Sequence, residues 1–139
     1  MKKLILFLAF LAFSYPAYAV QMPDLEKTPG EVLTANTEII CIPGYSTTVR
    51  HTSKWLKSKV YEDYGIKTKE DRKKYILDHY IPLQLGGDDS ERNLWPQNKV
   101  EAKQKDIVEG YLKREVCKGS MNIKEAQKSI VKDWTQFSK

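Results

Sequence analysis

The stretch Tyr75–Gln97, YILDHYIPLQLGGDDSERNLWPQ, carries the strongest structural signals in this chain. Its apolar start predicts a strand from Tyr75 to Leu83, and a Gly-Gly turn and an acidic loop lead to a second short strand near Leu94. Asp78 and His79 lie side by side on the first strand. Because side chains alternate along a strand, the two point to opposite faces unless the backbone bends.

The segments on either side of this stretch predict helices. Ser53 is placed to cap a helix that runs to Tyr64, a second helix covers Val100–Cys117, and Asn122 opens a last helix. Two upstream segments, residues 38–42 and 45–50, predict extended structure because they are short and rich in β-branched residues. The fold class is therefore α+β, a small domain built on a strand–turn–strand–helix centre.

The first nineteen residues have the pattern of a signal peptide. Lys2 and Lys3 precede the apolar run LILFLAFLAF, and Ala17-Tyr18-Ala19 has the small-x-small pattern of a cleavage site. The apolar run is shorter than the ~20 residues of a membrane-spanning helix, so an uncleaved anchor is the weaker alternative. We expect cleavage after Ala19 and export to the periplasm or beyond, without stable membrane insertion.

The mature chain has room for one domain. Residues 20–37 contain prolines and a glycine without a clear period, which predicts a loosely ordered segment before a domain over 38–139. Removing Lys2 and Lys3 from 23 basic residues leaves 21 against 18 acidic ones, a net charge of +3. Such a balance permits a polyanionic partner without requiring one.

The chain contains two cysteines, Cys41 and Cys117. In an oxidising compartment an even count favours a disulfide, and two buried free thiols are the alternative. A structural zinc site of the four-cysteine type is excluded, because the chain has too few sulfur ligands.

The pair Asp78–His79 suits the hydrolysis of a phosphodiester. Histidine titrates near neutral pH and can take a proton from water, while a carboxylate beside it can bind a hard divalent cation. A base that generates the nucleophile and a metal that offsets charge on the phosphate are what this reaction needs.

Taken together, DHYIPLQLGG and NLWPQ resemble the HNH, or ββα-metal, endonucleases. The resemblance to small exported bacterial proteins of this superfamily extends to three further segments: GYSTTVR (44–50), EAKQKD (101–106) and VCKG (116–119). It covers about Ile40 to Trp134, most of the mature chain. It implies a ββα-metal finger with flanking helices, a metal-dependent endonuclease activity and a nucleic-acid substrate.

The resemblance also implies roles for single residues. His79 would be the general base and Asp78 a metal ligand. Asn93 would be the middle asparagine, which braces the loop and holds the orientation of the histidine rather than touching the phosphate. Each residue has a simpler interpretation as well, for example a strand-edge charge for Asp78 or a turn residue for Asn93.

The third ligand is where the sequence departs from the family pattern, because the helix carries no histidine. Glu101 is the expected ligand, with Asn98 as the alternative and Asp106 as a weaker one. Two carboxylates favour a hard ion, Mg²⁺ or Mn²⁺, over Zn²⁺.

Arg50 and Lys105 are the expected contacts to nucleic acid. A forked guanidinium suits phosphate, although a structural salt bridge would explain Arg50 equally well. With one short domain, recognition would depend mainly on phosphates, and we expect a monomer acting on DNA with low sequence specificity. The alternative function is a non-catalytic exported binding domain that retains the ββα scaffold.

Overall fold

The computed structural model describes residues 20–138, so the predicted signal peptide lies outside the described residues. Within this range the chain is an α+β domain in which helices surround a two-stranded antiparallel sheet. No helix among residues 20–138 combines the length and the apolar character needed to cross a bilayer. In chain order the elements are α1 (Thr37–Ile40), α2 (Tyr45–Thr48), α3 (Lys54–Asp63), α4 (Lys69–Arg72), β1 (Tyr75–His79), β2 (Leu94–Asn98), α5 (Lys99–Cys117) and α6 (Ile123–Asp133).

The two strands pair antiparallel, with Tyr75 opposite Asn98 and His79 opposite Leu94. The second strand near Leu94 is confirmed, but the first is shorter than predicted and ends at His79. Pro82 explains the early end, because proline has no N–H for a ladder; the chain turns into a short 3₁₀ segment after it.

Three helix predictions are confirmed. The hydroxyl oxygen of Ser53 accepts a hydrogen bond from the Leu56 N–H at 3.1 Å and starts α3. The side-chain oxygen of Asn122 accepts one from the Lys124 N–H at 2.8 Å and starts α6. Capping oxygens of this kind satisfy N–H groups that have no partner inside the helix. The third helix, α5, covers the predicted range and begins one residue earlier, at Lys99.

The two predicted extended segments upstream are wrong. Both form single helical turns, α1 and α2. The side chain of Asn36 caps α1 by accepting a hydrogen bond from the Glu38 N–H at 3.0 Å, and Ile40 is fully buried. Burial of Ile40 and the cap outweigh the weak preference of β-branched residues for strands.

One main apolar core lies where α5 and α6 pack against the N-terminal turns and the 3₁₀ segment Leu83–Leu85. This core fixes the position of α5, which in turn packs against both strands. Its buried members are Ile40, Tyr45, Leu85, Val108, Leu112, Val116, Ile123, Ala126, Ile130 and Trp134.

The segment 20–36 has little regular structure but is held by specific contacts. Thr28 is fully buried; its hydroxyl donates to the Leu94 carbonyl oxygen at 2.9 Å and lies 2.7 Å from the Tyr64 hydroxyl. Val32 forms an isolated β-bridge with Gly87. The segment is therefore better tied to the domain than its composition predicts.

The predicted disulfide is present. Cys41, at the end of α1, is bonded to Cys117, at the end of α5, with 5.7 Å between the Cα atoms and a sequence separation of 76. The bond ties the N-terminal turns to the long helix and closes a loop that contains both strands.

We expect the variant with both Cys41→Ala and Cys117→Ala to lose about 4 kcal/mol of unfolding free energy. Closing a long loop restricts the unfolded chain, and this restriction disappears in the variant. Urea unfolding of oxidised and reduced wild type and of the variant would measure the difference. Since the chain has no other cysteine, reductant should leave the variant unchanged. Equal midpoints for oxidised and reduced wild type would contradict the prediction.

Candidate active site

His79 is the last residue of β1 and is buried, with 4% of its surface exposed. Its side chain turns toward α3, where it helps to line a cleft that also contains Lys57 and Tyr61. Its Nε2 lies 2.7 Å from Oδ1 of Asp89, which belongs to the acidic loop between the strands.

Asp89 is held by three donors. Besides His79, the Thr52 hydroxyl donates to its Oδ1 at 2.6 Å and the His51 backbone N–H donates to its Oδ2. Burial acts to raise the pKa of Asp89, but the hydrogen bonds from Thr52, His79 and the His51 N–H together hold it below its ordinary value. The group is therefore a carboxylate at neutral pH.

These partners determine the state of the imidazole. Burial lowers the pKa of His79 below its ordinary value, against the opposing effects of Asp89 and Asp78, so the ring is neutral at pH 7. A carboxylate only accepts hydrogen bonds, which places the proton of the neutral ring on Nε2. The lone pair is then on Nδ1, where it is able to accept a proton.

Asp78 faces the other side of the sheet, toward α5. Its Oδ2 accepts a hydrogen bond from the Lys105 ammonium at 2.7 Å. The same ammonium donates to the His79 carbonyl oxygen at 2.8 Å and to Oε1 of Glu109 at 2.7 Å. The side chain of Lys105 is 1% exposed. The alternation expected for Asp78 and His79 is therefore present.

Carboxylates from two elements converge beside Asp78. One oxygen from each of Asp78, Asp106 and Glu109 lies within 4.8 Å of the others. Partial burial of its carboxyl group, and then the charge of Asp78, raises the pKa of Asp106, although the residue as a whole is exposed. Burial also raises the pKa of Glu109, against the opposing charge of Lys105. Burial is the largest cause of both shifts, and the Lys105 ammonium supplies one positive charge to Asp78 and Glu109. A second cation near these oxygens would favour their ionised forms.

A cavity of about 140 Å³ lies at the end of β1. His79 and the three carboxylates line it together with Arg50, which also lines the cleft toward α3. Arg50 is exposed and has no ion-pair partner among residues 20–138, so its guanidinium is available to an anion. His79, three carboxylates and an unpaired guanidinium thus all line one cavity.

Asn93 is fully buried and braces the turn that follows β1. Its Oδ1 accepts from the Ile81 N–H at 2.9 Å, and its Nδ2 donates to the carbonyl oxygens of Ile81 at 2.8 Å and Asp88 at 2.7 Å. These bonds link the segment after His79 to the loop that carries Asp89. They give the residue the contacts expected of a brace.

The Gly-Gly turn is required by close packing. Gly86 has φ +83°, and a Cβ there would lie 2.1 Å from the Thr34 carbonyl oxygen. A Cβ on Gly87 would lie 1.9 Å from the Ile81 carbonyl oxygen and 2.9 Å from Nδ2 of Asn93. Only glycine lets the turn approach the backbone so closely.

We expect Gly87→Ala to destabilise the protein by about 3 kcal/mol, because the new methyl group displaces backbone and breaks the bonds of Asn93. Gly44→Ala is the matched control. Gly44 has φ +83°, but a Cβ added to it would meet no atom within 4 Å, so the cost is limited to about 1 kcal/mol of backbone strain. Thermal and urea unfolding of both variants would measure the difference. Equal losses would contradict the packing argument.

The structure places the other predicted site residues away from this cavity. Glu101 is buried, and its carboxylate accepts a hydrogen bond from the Gln21 N–H at 3.2 Å. The Asn98 side chain caps α5 by accepting from the Val100 N–H at 2.8 Å. Neither Glu101 nor Asn98 lies beside Asp78. Asp106, the weakest of the three alternatives, does lie beside it. Lys105 is buried in its ion pairs and presents no charge to a ligand at the surface.

Sequence reasoning missed two residues, Asp89 and Glu109. Asp89 lies in an acidic loop, where nothing in the sequence separates it from Asp88. Glu109 follows Lys105 by four residues on a helix. This spacing predicts an ion pair between the two, but it does not predict that Lys105 also binds Asp78 on β1. No protein-family model, curated protein or solved structure matches this chain.

Proposed function

We propose that this protein is an exported, metal-dependent endonuclease that hydrolyses phosphodiester bonds of nucleic acid, DNA being the expected substrate. The observation that carries the proposal is the pairing of His79 with Asp89 at a cavity that also holds three carboxylates. A neutral histidine with a fixed proton and an adjacent set of hard oxygen ligands is the equipment for activating water against a phosphodiester.

His79 acts as the general base in this proposal. Asp89 holds the proton on Nε2, which leaves Nδ1 to take a proton from water, and it stabilises the charged ring that forms. Arg50, at the mouth of the same cavity, binds the phosphate through its guanidinium. Asn93 keeps the turn and the acidic loop in register and touches no substrate.

Asp78, Asp106 and Glu109 are the residues that would hold the metal. Their donor set of carboxylate oxygens fits Mg²⁺ or Mn²⁺. Such an ion, when bound, would stabilise negative charge on the phosphate and the leaving oxygen. Lys105 balances part of the charge of Asp78 and Glu109 and keeps the cluster assembled.

The order β1, loop, β2, α5 is compatible with the ββα-metal finger that the sequence resembles. In this interpretation β1 supplies Asp78 and His79, and α5 supplies the remaining ligands. The disulfide supports an exported protein, because such bonds persist in oxidising compartments.

Plasmid nicking by the chain starting at Val20, with Mg²⁺, Mn²⁺ or EDTA, tests the proposal. We expect cleavage with either metal and none with EDTA. Absence of cleavage of DNA and RNA by a folded, oxidised protein would overturn it.

A second candidate is a non-catalytic exported binding domain, and the buried Lys105 favours it. An ammonium bonded to Asp78, Glu109 and the His79 carbonyl is also what a purely structural ion-pair network would contain. The two functions differ in their response to His79→Ala. Loss of cleavage with retained folding identifies the enzyme.

A further inference from the structure

Two clefts flank α3, and they differ in charge. The cleft between α3, residues 50–52 and β1 has a volume of about 670 Å³; we call it the basic cleft. Arg50 and Lys57 line it, and its lining contains no carboxylate. The cleft on the other side of α3, about 350 Å³, is lined by three acidic and two basic residues. Only the first has the uniform positive charge that attracts an anion.

The two cations of the basic cleft are free. Both Arg50 and Lys57 are exposed, and neither forms an ion pair with any residue between 20 and 138. By contrast, Lys59, two positions along the same helix, is paired with Asp63 and Glu91. Two unpaired cations that line one cleft give it a positive charge that attracts phosphates.

The wall of the basic cleft is aromatic and apolar. Tyr75, at the start of β1, is half-buried, and its hydroxyl makes no hydrogen bond within residues 20–138. Tyr61 of α3 lies across the cleft, with the Arg72 guanidinium 5.0 Å from its ring centre. Leu77 and Leu94 complete an apolar surface that leads to His79. Aromatic rings beside free cations are the elements with which proteins hold unpaired bases.

We propose that the basic cleft binds an unpaired nucleotide of single-stranded nucleic acid, adjacent to the phosphate that is cleaved. Arg50 and Lys57 bind the phosphates, and the base stacks on Tyr75. The placement of this nucleotide next to the cleaved phosphate rests on the proposed function. His79, the proposed base, lines both the basic cleft and the carboxylate cavity. A base inside a duplex is stacked on its neighbours and enters such a cleft only after leaving the helix.

Binding in EDTA tests the cleft without cleavage. Fluorescence anisotropy would compare a labelled single-stranded oligonucleotide with the same sequence as a duplex. We expect tighter binding of the single strand and a loss of about tenfold for Tyr75→Leu, since stacking on an aromatic side chain is worth ~1–3 kcal/mol per base. Tyr75→Phe keeps the ring and should bind like wild type. Lys57→Gln should make the slope of log affinity against log salt concentration shallower, by the amount expected for the loss of about one phosphate contact.

The matched controls are residues that line neither the basic cleft nor the carboxylate cavity. Tyr111→Leu removes a partly exposed ring on α5, and Lys128→Gln removes an exposed charge on α6; both should bind like wild type. Equal binding of single strand and duplex, or unchanged binding by Tyr75→Leu, would overturn the inference even if the protein cleaves DNA. Loss of single-strand binding by Tyr75→Leu in a protein that cleaves nothing would support the cleft and overturn the nuclease.

Discussion

His79→Ala is expected to reduce plasmid nicking by at least about a hundredfold while leaving the fold intact, since general-base catalysis contributes ~10²–10⁴-fold. His79 lies at the end of β1 and outside the main apolar core, so its removal leaves that core untouched. Nicking rates at saturating Mg²⁺, with thermal unfolding as the control for folding, would measure the effect. A folded variant that nicks at the wild-type rate would exclude His79 as the base.

The variant Asp89→Asn tests whether Asp89 acts by positioning His79 or by binding the substrate itself. The amide is able to donate as well as accept, so it no longer fixes the proton on Nε2 of His79. We expect a lower turnover rate with an unchanged KM, because Asp89 acts through His79 and is not in contact with the substrate in the proposed arrangement. A change in KM alone would indicate that Asp89 binds substrate instead.

The variant Asp89→Asn should also change how the unfolding free energy depends on pH. Because the pKa of Asp89 is held below its ordinary value in the folded protein, the carboxylate stabilises the fold above about pH 4. This contribution disappears as pH falls through the lowered pKa. Wild type should therefore exceed Asp89→Asn in unfolding free energy at pH 7, and the difference should shrink as the pH falls below about 4. A constant difference across this range would contradict the assignment.

The second large effect is expected for Asp106→Asn. If Asp106 holds the metal with Asp78, the variant should lose about a hundredfold or more of Mg²⁺-supported nicking, because metal stabilisation of transition-state charge is worth several kcal/mol. The side chain is exposed and forms no ion pair within residues 20–138, so folding should be little affected. Nicking measured against Mg²⁺ concentration would show whether added metal restores activity.

Two further variants on α5 make this test specific. Glu115→Gln removes a carboxylate paired with Lys118 and far along the helix, and should leave nicking unchanged. Glu101→Gln probes the ligand expected from the sequence, where the chain departs from the family pattern. Loss of activity in Glu101→Gln, with full activity in Asp106→Asn, would show that the carboxylate cluster is not the metal site.

Local sequence signals predicted the parts of the fold that depend on neighbouring residues. Ser53 and Asn122 start helices because a capping oxygen acts within a few residues, and the apolar periodicity of α5 extends over about five turns. The turns α1 and α2 were predicted incorrectly because Ile40 is buried by distant parts of the chain. Propensity in a segment of four or five residues is too weak to oppose such packing.

The amino-acid sequence was enough to predict that Asp78 and His79 point to opposite faces of a strand, that a turn follows at the two glycines and that the two cysteines are joined. The first two follow from local chain geometry, and the third from an even cysteine count in an exported chain. The groups that complete the site became visible only in the folded chain. Asp89 reaches His79 across a loop, and Asp106 and Glu109 reach Asp78 from α5. The physical reason is that a side chain's charge state and partners depend on burial and on residues far away in sequence.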